Sequence, residues 1–293
     1  MSGLKVDATK IRDHVERLGE RHPPIDLASA DYSFNDGPAV RSRFGEVLEY
    51  MARVEMEVER NVLELAVLLP GVSETDRLFY GEVWGPQEAH HGILLDTLGQ
   101  RLGLPPATPD LGPVPARVRI LGAVSHLPFV HEIIRLLYYL TGAATEKAAM
   151  LAYQSMSDGL KEMGETAVQR TIVDAIKVQE PGHFAFYRLS ALEMVQAGVL
   201  APWQLFLARV LRARGFSLVG AKTEEQRTDY GGVIVNLGLD AEIERSVRDI
   251  VRVETRCSGR TRTDSTCPRT HSKFFAEPQT NIEVVPSCGP PEN

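Results

Sequence analysis

Two Glu-x-x-His motifs carry the chemistry most visible in this chain: Glu88-Ala-His-His91 and Glu180-Pro-Gly-His183. Residues three apart on a helix share a face, so each motif can aim one carboxylate and one imidazole at a single point. Two more glutamates, Glu55 and Glu146, fall on apolar helical faces elsewhere. One Glu from each of two helices, with Glu-x-x-His from two others, is the donor set that di-iron carboxylate bundles project inward. Four carboxylates and two imidazoles buried together without a cation would be very costly, because apolar interiors reject isolated charge. Iron suits the set: carboxylates bridge two hard cations, one imidazole per metal leaves positions open, and iron, unlike zinc or magnesium, changes redox state. A manganese–iron pair would use the same donors.

Such a centre needs four helices, and the sequence offers them. Residues 38–69 carry Phe44, Val47, Leu48, Met51, Val54, Val58, Val62 and Leu65 at helical spacing, ended by Pro70-Gly71. Ser73 and Asp76 resemble a capping box that opens a second helix running to about Gly103. A Pro-rich loop over residues 105–115 leads through short helical pieces to a third helix, residues 128–157. The fourth spans 165–197 and stops at Gly198; segments near 202–215 and 239–253 pack outside the four. The strand candidates reduce to Gly232-Val233-Ile234-Val235. The expectation is an all-α four-helix bundle with additional packed helices. Residues 1–37 form a polar N-terminal extension, 38–255 the helical domain, and 256–293, rich in Ser, Thr, Arg, Pro, Gly and Cys, a disordered tail.

Within the first helix three glutamates compete. Glu55 lies four residues after Met51 and three before Val58, on the core stripe. It stands about 15 residues before the Pro70-Gly71 turn and Glu88 about 17 after it, so antiparallel packing brings them level. Glu57 points toward solvent on an ideal helix, while Glu59 shares the Glu55 face one turn nearer the loop and stays an alternative. His90 is one residue off its motif and is expected behind the ligands or exposed; His126 and His131 match no ligand spacing, so structural roles are expected of them. Trp84, Tyr138, Tyr139 and Tyr187 read as core aromatics.

Composition narrows the classes. A formal charge of −7 gives no support for nucleic-acid binding, and no glycine-rich phosphate loop or Gly-x-Ser-x-Gly elbow is present. Cys257, Cys267 and Cys288 all lie in the last 37 residues, which argues against a thiol centre in the core. No apolar run reaches membrane-spanning length, and the expected location is the cytoplasm.

The chain resembles the soluble acyl-acyl-carrier-protein desaturases of the ferritin-like superfamily over roughly residues 40–250. Glu88-Ala-His-His-Gly-Ile-Leu-Leu is similar to that family's Glu-x-x-His-Gly-x-Leu-Leu, with Trp84 four residues earlier. Thr145-Glu146-Lys147-Ala148 looks like its Gln-Glu-Arg-Ala, and Glu180-x-x-His183 with Tyr187 matches its fourth helix, 34 residues beyond Glu146. The resemblance implies a ferritin-like fold, two iron ions held by Glu55, Glu88, His91, Glu146, Glu180 and His183, and O2-dependent desaturation of a fatty acyl chain. It further implies a homodimer, an acyl-carrier-protein-bound substrate and a ferredoxin-type electron donor; Arg209, Arg212, Arg214 and Lys222 are a candidate docking patch for an acidic partner.

Three positions depart from the family pattern: Ala149 where a Thr is usual, Gln179 where an acidic residue is usual, and Pro181-Gly182 inside the fourth-helix motif. Gln179 weakens the expected support for a histidine, and Pro181-Gly182 is expected to kink the helix at the metal. These departures keep open a di-iron hydroxylase or N-oxygenase acting on a small metabolite, and a non-catalytic ferritin-like iron-binding protein.

Overall fold

The computed structural model describes residues 6–69, 71–215 and 224–239. Among them every regular element is helical. Asp36 caps α2 (Gly37–Met56) by accepting from the Ala39 amide at 3.0 Å, with Pro38 in the first turn where its missing N–H costs nothing. α3 (Val58–Leu68) continues the same rod after a single irregular residue, Glu57. The expected capping box is present at α4 (Glu74–Leu78): Ser73 and Asp76 bond reciprocally. α4 runs into a π-helical stretch, Phe79–Trp84, and then α5 (Gly85–Arg101). α6 (Ala116–Ser125) follows the Pro-rich loop, and α7 (Pro128–Glu162) is the longest helix. The fourth rod is composite: α8 (Thr166–Val168), a second π-helical stretch at Gln169–Val173, α9 (Asp174–Lys177) and α10 (Glu180–Gln196). Gly198, at φ +68°, ends it as expected.

The two most extensive pairings are α2 with α5 and α7 with α10. Between them lie two apolar zones. One gathers Phe79, Tyr80, Trp84, Ile134, Leu137, Tyr139 and Phe186; the other Phe44, Leu48, Leu94, Leu98, Tyr153, Met156, Ile172 and Ile176. Around the four rods, α11 (Pro202–Gly215) lies on α7, α12 (Glu224–Asn236) on α2, and α6 on α3.

Residues 6–36 contain a helix that the sequence pattern did not single out. α1 (Ala8–Arg21) is capped by Asp7 and buries Ile11, Val15 and Leu18 against α10 and the first π-helical stretch. The chain then crosses the bundle in an extended strap, interrupted by a 3-10 turn at Leu27–Ser29, that ends where Glu165 accepts from the Asn35 and Asp36 amides at 2.8 and 2.7 Å.

Two sequence expectations are overturned. Gly232–Val235 is not a strand but part of α12, with Val233 and Ile234 packed into the second apolar zone; a short apolar run has no periodicity to separate the two. Glu57 does not face solvent. The helix breaks there, and the buried side chain (2% exposed) accepts from the Asp110 amide at 3.2 Å. The expected helix over 239–253 lies outside the described residues beyond Leu239, as do Lys222, the three cysteines and the tail. No helix among the described residues is long and apolar enough to cross a membrane.

Candidate metal centre

The centre is built where the four rods pass closest. Gly92 sets one of these approaches: a Cβ there would stand 2.6 Å from Met56 Cγ and 3.0 Å from the Met56 amide nitrogen. Only glycine lets α5 lie this near α2, and that brings Glu55 against Glu88 and His91. Glu146 comes from mid-α7, and Glu180 and His183 from the first turn of α10.

All six sequence-selected residues converge and are buried. They form two overlapping groups, Glu55–Glu88–His91–Glu180 and Glu88–Glu146–Glu180–His183, within each of which one ligand atom per residue lies within 4.8 Å of the others. Glu88 and Glu180 belong to both groups; Glu55 with His91 flanks one side, Glu146 with His183 the other. His183 Nδ1 is 2.9 Å from Glu88 Oε1 and 3.6 Å from Glu180 Oε2, while His91 Nδ1 is 3.3 Å from Glu180 Oε1. Glu59, the alternative first-helix ligand, is exposed, because the irregular turn at Glu57 rotates α3 relative to α2. His126 and His131 belong to neither group.

The electrostatics are those of a site short of positive charge. Burial, then the neighbouring Glu55, Glu180 and Glu146 carboxylates, push Glu88 well above the ordinary carboxylate range. Burial with Glu180 and Glu55 does the same to Glu146. Glu180 shifts the other way: burial opposes its charge, but the facing imidazoles of His183 and His91 outweigh that and hold it low. His91 is raised, since the Glu180 and Glu55 carboxylates overcome the burial that disfavours its charged form. Glu88 Oε1, both Glu180 oxygens and Nδ1 of both histidines find no hydrogen-bond partner in good geometry, although they crowd one another at 2.9, 3.3 and 3.6 Å. Buried polar atoms without partners are rare in folded proteins, and these five converge on one volume. Their types are the oxygen and imidazole donors of a transition-metal site.

Four groups around the centre fix its donors. Tyr153 donates to Glu55 Oε1 at 2.7 Å, and the Trp84 indole donates to Glu146 Oε1 at 3.3 Å. His91 Nε2 lies 2.7 Å from Gln179 Oε1, and His183 Nε2 lies 2.6 Å from Gln87 Oε1. Sequence reasoning missed Tyr153 and Gln87. Tyr153 sits two turns after Glu146 on the same face of α7. Gln87 precedes Glu88 as Gln179 precedes Glu180, so the repeat is Gln-Glu-x-x-His in both rods.

Two family departures acquire reasons. Gln179 does not leave a histidine unsupported; it supports the imidazole of the other motif. The kink expected at Pro181 falls just before Glu180, between α9 and α10, and Pro181 occupies the first turn of the new helix. Gly182 makes room for α1: a Cβ there would collide with Leu18, and its carbonyl receives His14 Nε2 at 2.9 Å. His90 is half-buried and its Nδ1 bonds the Ile25 carbonyl at 2.7 Å, outside the centre. Trp84, Tyr139 and Tyr187 are buried, and Tyr138 packs partly buried beside them, as core aromatics should. Of the docking candidates, Arg209 is exposed on α11 and Arg212 is half-buried.

Fold and site together define an all-α bundle with a buried glutamate–histidine centre whose donors could hold a metal ion. No protein-family model, curated protein or solved structure matches the chain.

Proposed function

We propose that this chain is an O2-activating non-haem di-iron oxidase. The observation that carries the reading is the pair of overlapping donor groups that share Glu88 and Glu180. Two shared carboxylates and one carboxylate–imidazole pair on each side match the needs of two adjacent divalent cations, and the five unbonded donor atoms are where those cations would be held. A metal pair that changes redox state would supply the oxidising chemistry, taking up O2 and delivering its oxidising equivalents to a C–H bond. The chain's own contribution is positioning. Glu55 and Glu146 are pinned by Tyr153 and Trp84, the imidazoles by Gln179 and Gln87, and the apolar walls of Phe79, Phe186 and Leu94 keep water away.

For substrate, the motif resemblance favours desaturation of an acyl chain presented on an acyl carrier protein, with electrons from a ferredoxin-type donor and a homodimer as the working unit. Ala149 favours a second reading, hydroxylation or N-oxygenation of a small metabolite, because it removes from α7 the hydroxyl expected one turn after Glu146.

The test is to load the purified protein anaerobically with ferrous iron, desalt it, and measure bound iron for the parent, Glu88→Ala and His183→Ala. About two irons per chain in the parent, with clear loss in both variants, is the expected result. Iron that neither substitution disturbs would sink the proposal. Mass spectrometry of products then separates the chemistries: loss of two hydrogens marks desaturation, gain of oxygen marks hydroxylation.

A further inference from the structure

Each imidazole is gripped from behind by a glutamine of the opposite motif, and each glutamine is gripped by the strap. Gln179 Nε2 donates to the Pro23 carbonyl at 2.8 Å, with the His22 carbonyl at 3.5 Å; Gln87 Nε2 donates to the His22 carbonyl. Both amides are buried, Gln87 fully and Gln179 at 3% exposure. An amide whose NH2 faces a carbonyl must turn its oxygen the other way, here toward histidine Nε2. An amide oxygen only accepts, so each imidazole keeps a proton on Nε2, which leaves Nδ1 as the nitrogen free to give its lone pair to a metal. Those Nδ1 atoms are the histidine atoms that lack a hydrogen bond.

The strap that carries the two carbonyls is itself tied down on both sides. His14 bonds the Gly182 carbonyl on one, the Ile25 carbonyl meets His90 Nδ1, and the Asp31 amide donates to Thr171 Oγ1 at 2.9 Å on the other. The linkages are crossed, since the α5 glutamine serves the α10 histidine and the α10 glutamine serves the α5 histidine. One two-residue stretch of backbone thereby holds both glutamines.

We propose that Gln87 and Gln179 are positioning residues that, locked by the His22 and Pro23 carbonyls, fix the tautomer and aim of His183 and His91 toward metal. The inference rests on the metal reading above and deepens it by giving residues 22–23 a role at the centre.

The test uses the full chain loaded with Co(II), whose paramagnetism moves the Nε2–H protons of bound histidines out of the crowded proton spectrum. The parent should show two such exchangeable signals. Gln179→Leu should lose or rapidly exchange one and keep the other, and Gln87→Leu should do the reverse. Gln179→Glu keeps the acceptor but loses the donor to the Pro23 carbonyl, so both signals should persist, with that of His91 exchanging faster than in the parent. Co(II) affinity should fall about 10- to 100-fold in each Leu variant, as for other groups that orient metal-bound histidines. Circular dichroism melts check that every variant remains folded. Persistence of both signals in the Leu variants, or loss of both from either one, would overturn the positioning role. A parent that binds no Co(II) overturns the metal reading itself, and that is seen before any variant is made.

Discussion

Two of the buried polar clusters among the described residues differ in one respect. Asp76, at the start of the second rod, is almost fully enclosed, yet its carboxylate is well supplied: Tyr139 donates at 2.6 Å, the Ser73 hydroxyl at 2.7 Å, the Ser73 amide at 3.1 Å and Arg135 at 3.3 Å. The Glu–His centre is equally enclosed, but its carboxylate oxygens and imidazole nitrogens crowd one another without good hydrogen-bond geometry. Burial of charge therefore does not by itself mark a functional site; several unmet carboxylate and imidazole donors gathered in one place are the stronger signal. Asp76 and its partners are complete as a structural joint, whereas the centre gathers donors that could hold a metal ion.

The sharpest way to break that comparison is to remove a shared ligand. Glu180→Ala should abolish metal uptake on both sides, taking the parent's two equivalents to about none, whereas Glu55→Ala should leave about one. Metal analysis after desalting reads the difference, and equal losses from the two variants would contradict the shared-ligand arrangement. The complementary substitution is Asp76→Ala. It strands Arg135 and Tyr139, and should cost about 3 kcal/mol in urea unfolding while leaving metal uptake unchanged.

Acidity offers a third contrast. In the metal-free protein Glu88 and Glu146 hold protons at pH values where the unfolded chain has released them, and His91 is raised as well. The folded state then binds more protons, so metal-free stability should fall as pH rises from about 5 to 8. Glu180, held low, contributes in the opposite sense, through stability lost only as pH falls below the ordinary carboxylate range. Cations replace those protons, so the metal-loaded protein should gain stability over the same interval. Urea midpoints at pH 5 and pH 8, with and without metal, test the crossing. The smallest effect is expected of Tyr153→Phe, which frees one Glu55 oxygen and should cost about 1 kcal/mol by the same measurement.

Much of this was legible in the chain because helical periodicity and the Glu-x-x-His spacing report one face of one rod. Level packing of Glu55 and Glu88 followed from counting residues on either side of Pro70-Gly71. What periodicity cannot report is a residue that breaks it. Glu57 interrupts its helix by a single turn, and that interruption both buries Glu57 and turns Glu59 outward. The grip on the histidines was hidden for another reason. Its last link is backbone carbonyl at His22 and Pro23, which no side-chain pattern encodes, and its glutamines act across the bundle on the motif that is not their own.

The two π-helical stretches, Phe79–Trp84 and Gln169–Val173, each precede a Gln-Glu-x-x-His motif by a few residues. A π turn holds one residue more than the α turn it replaces, and each residue advances an α-helix by about 100°. Deleting one residue from the first stretch, which runs directly into α5, would leave a regular helix and swing the Glu88 motif off the bundle axis by roughly that angle. The reach of Glu88 and His91 into the bundle therefore hangs on a single codon upstream of them.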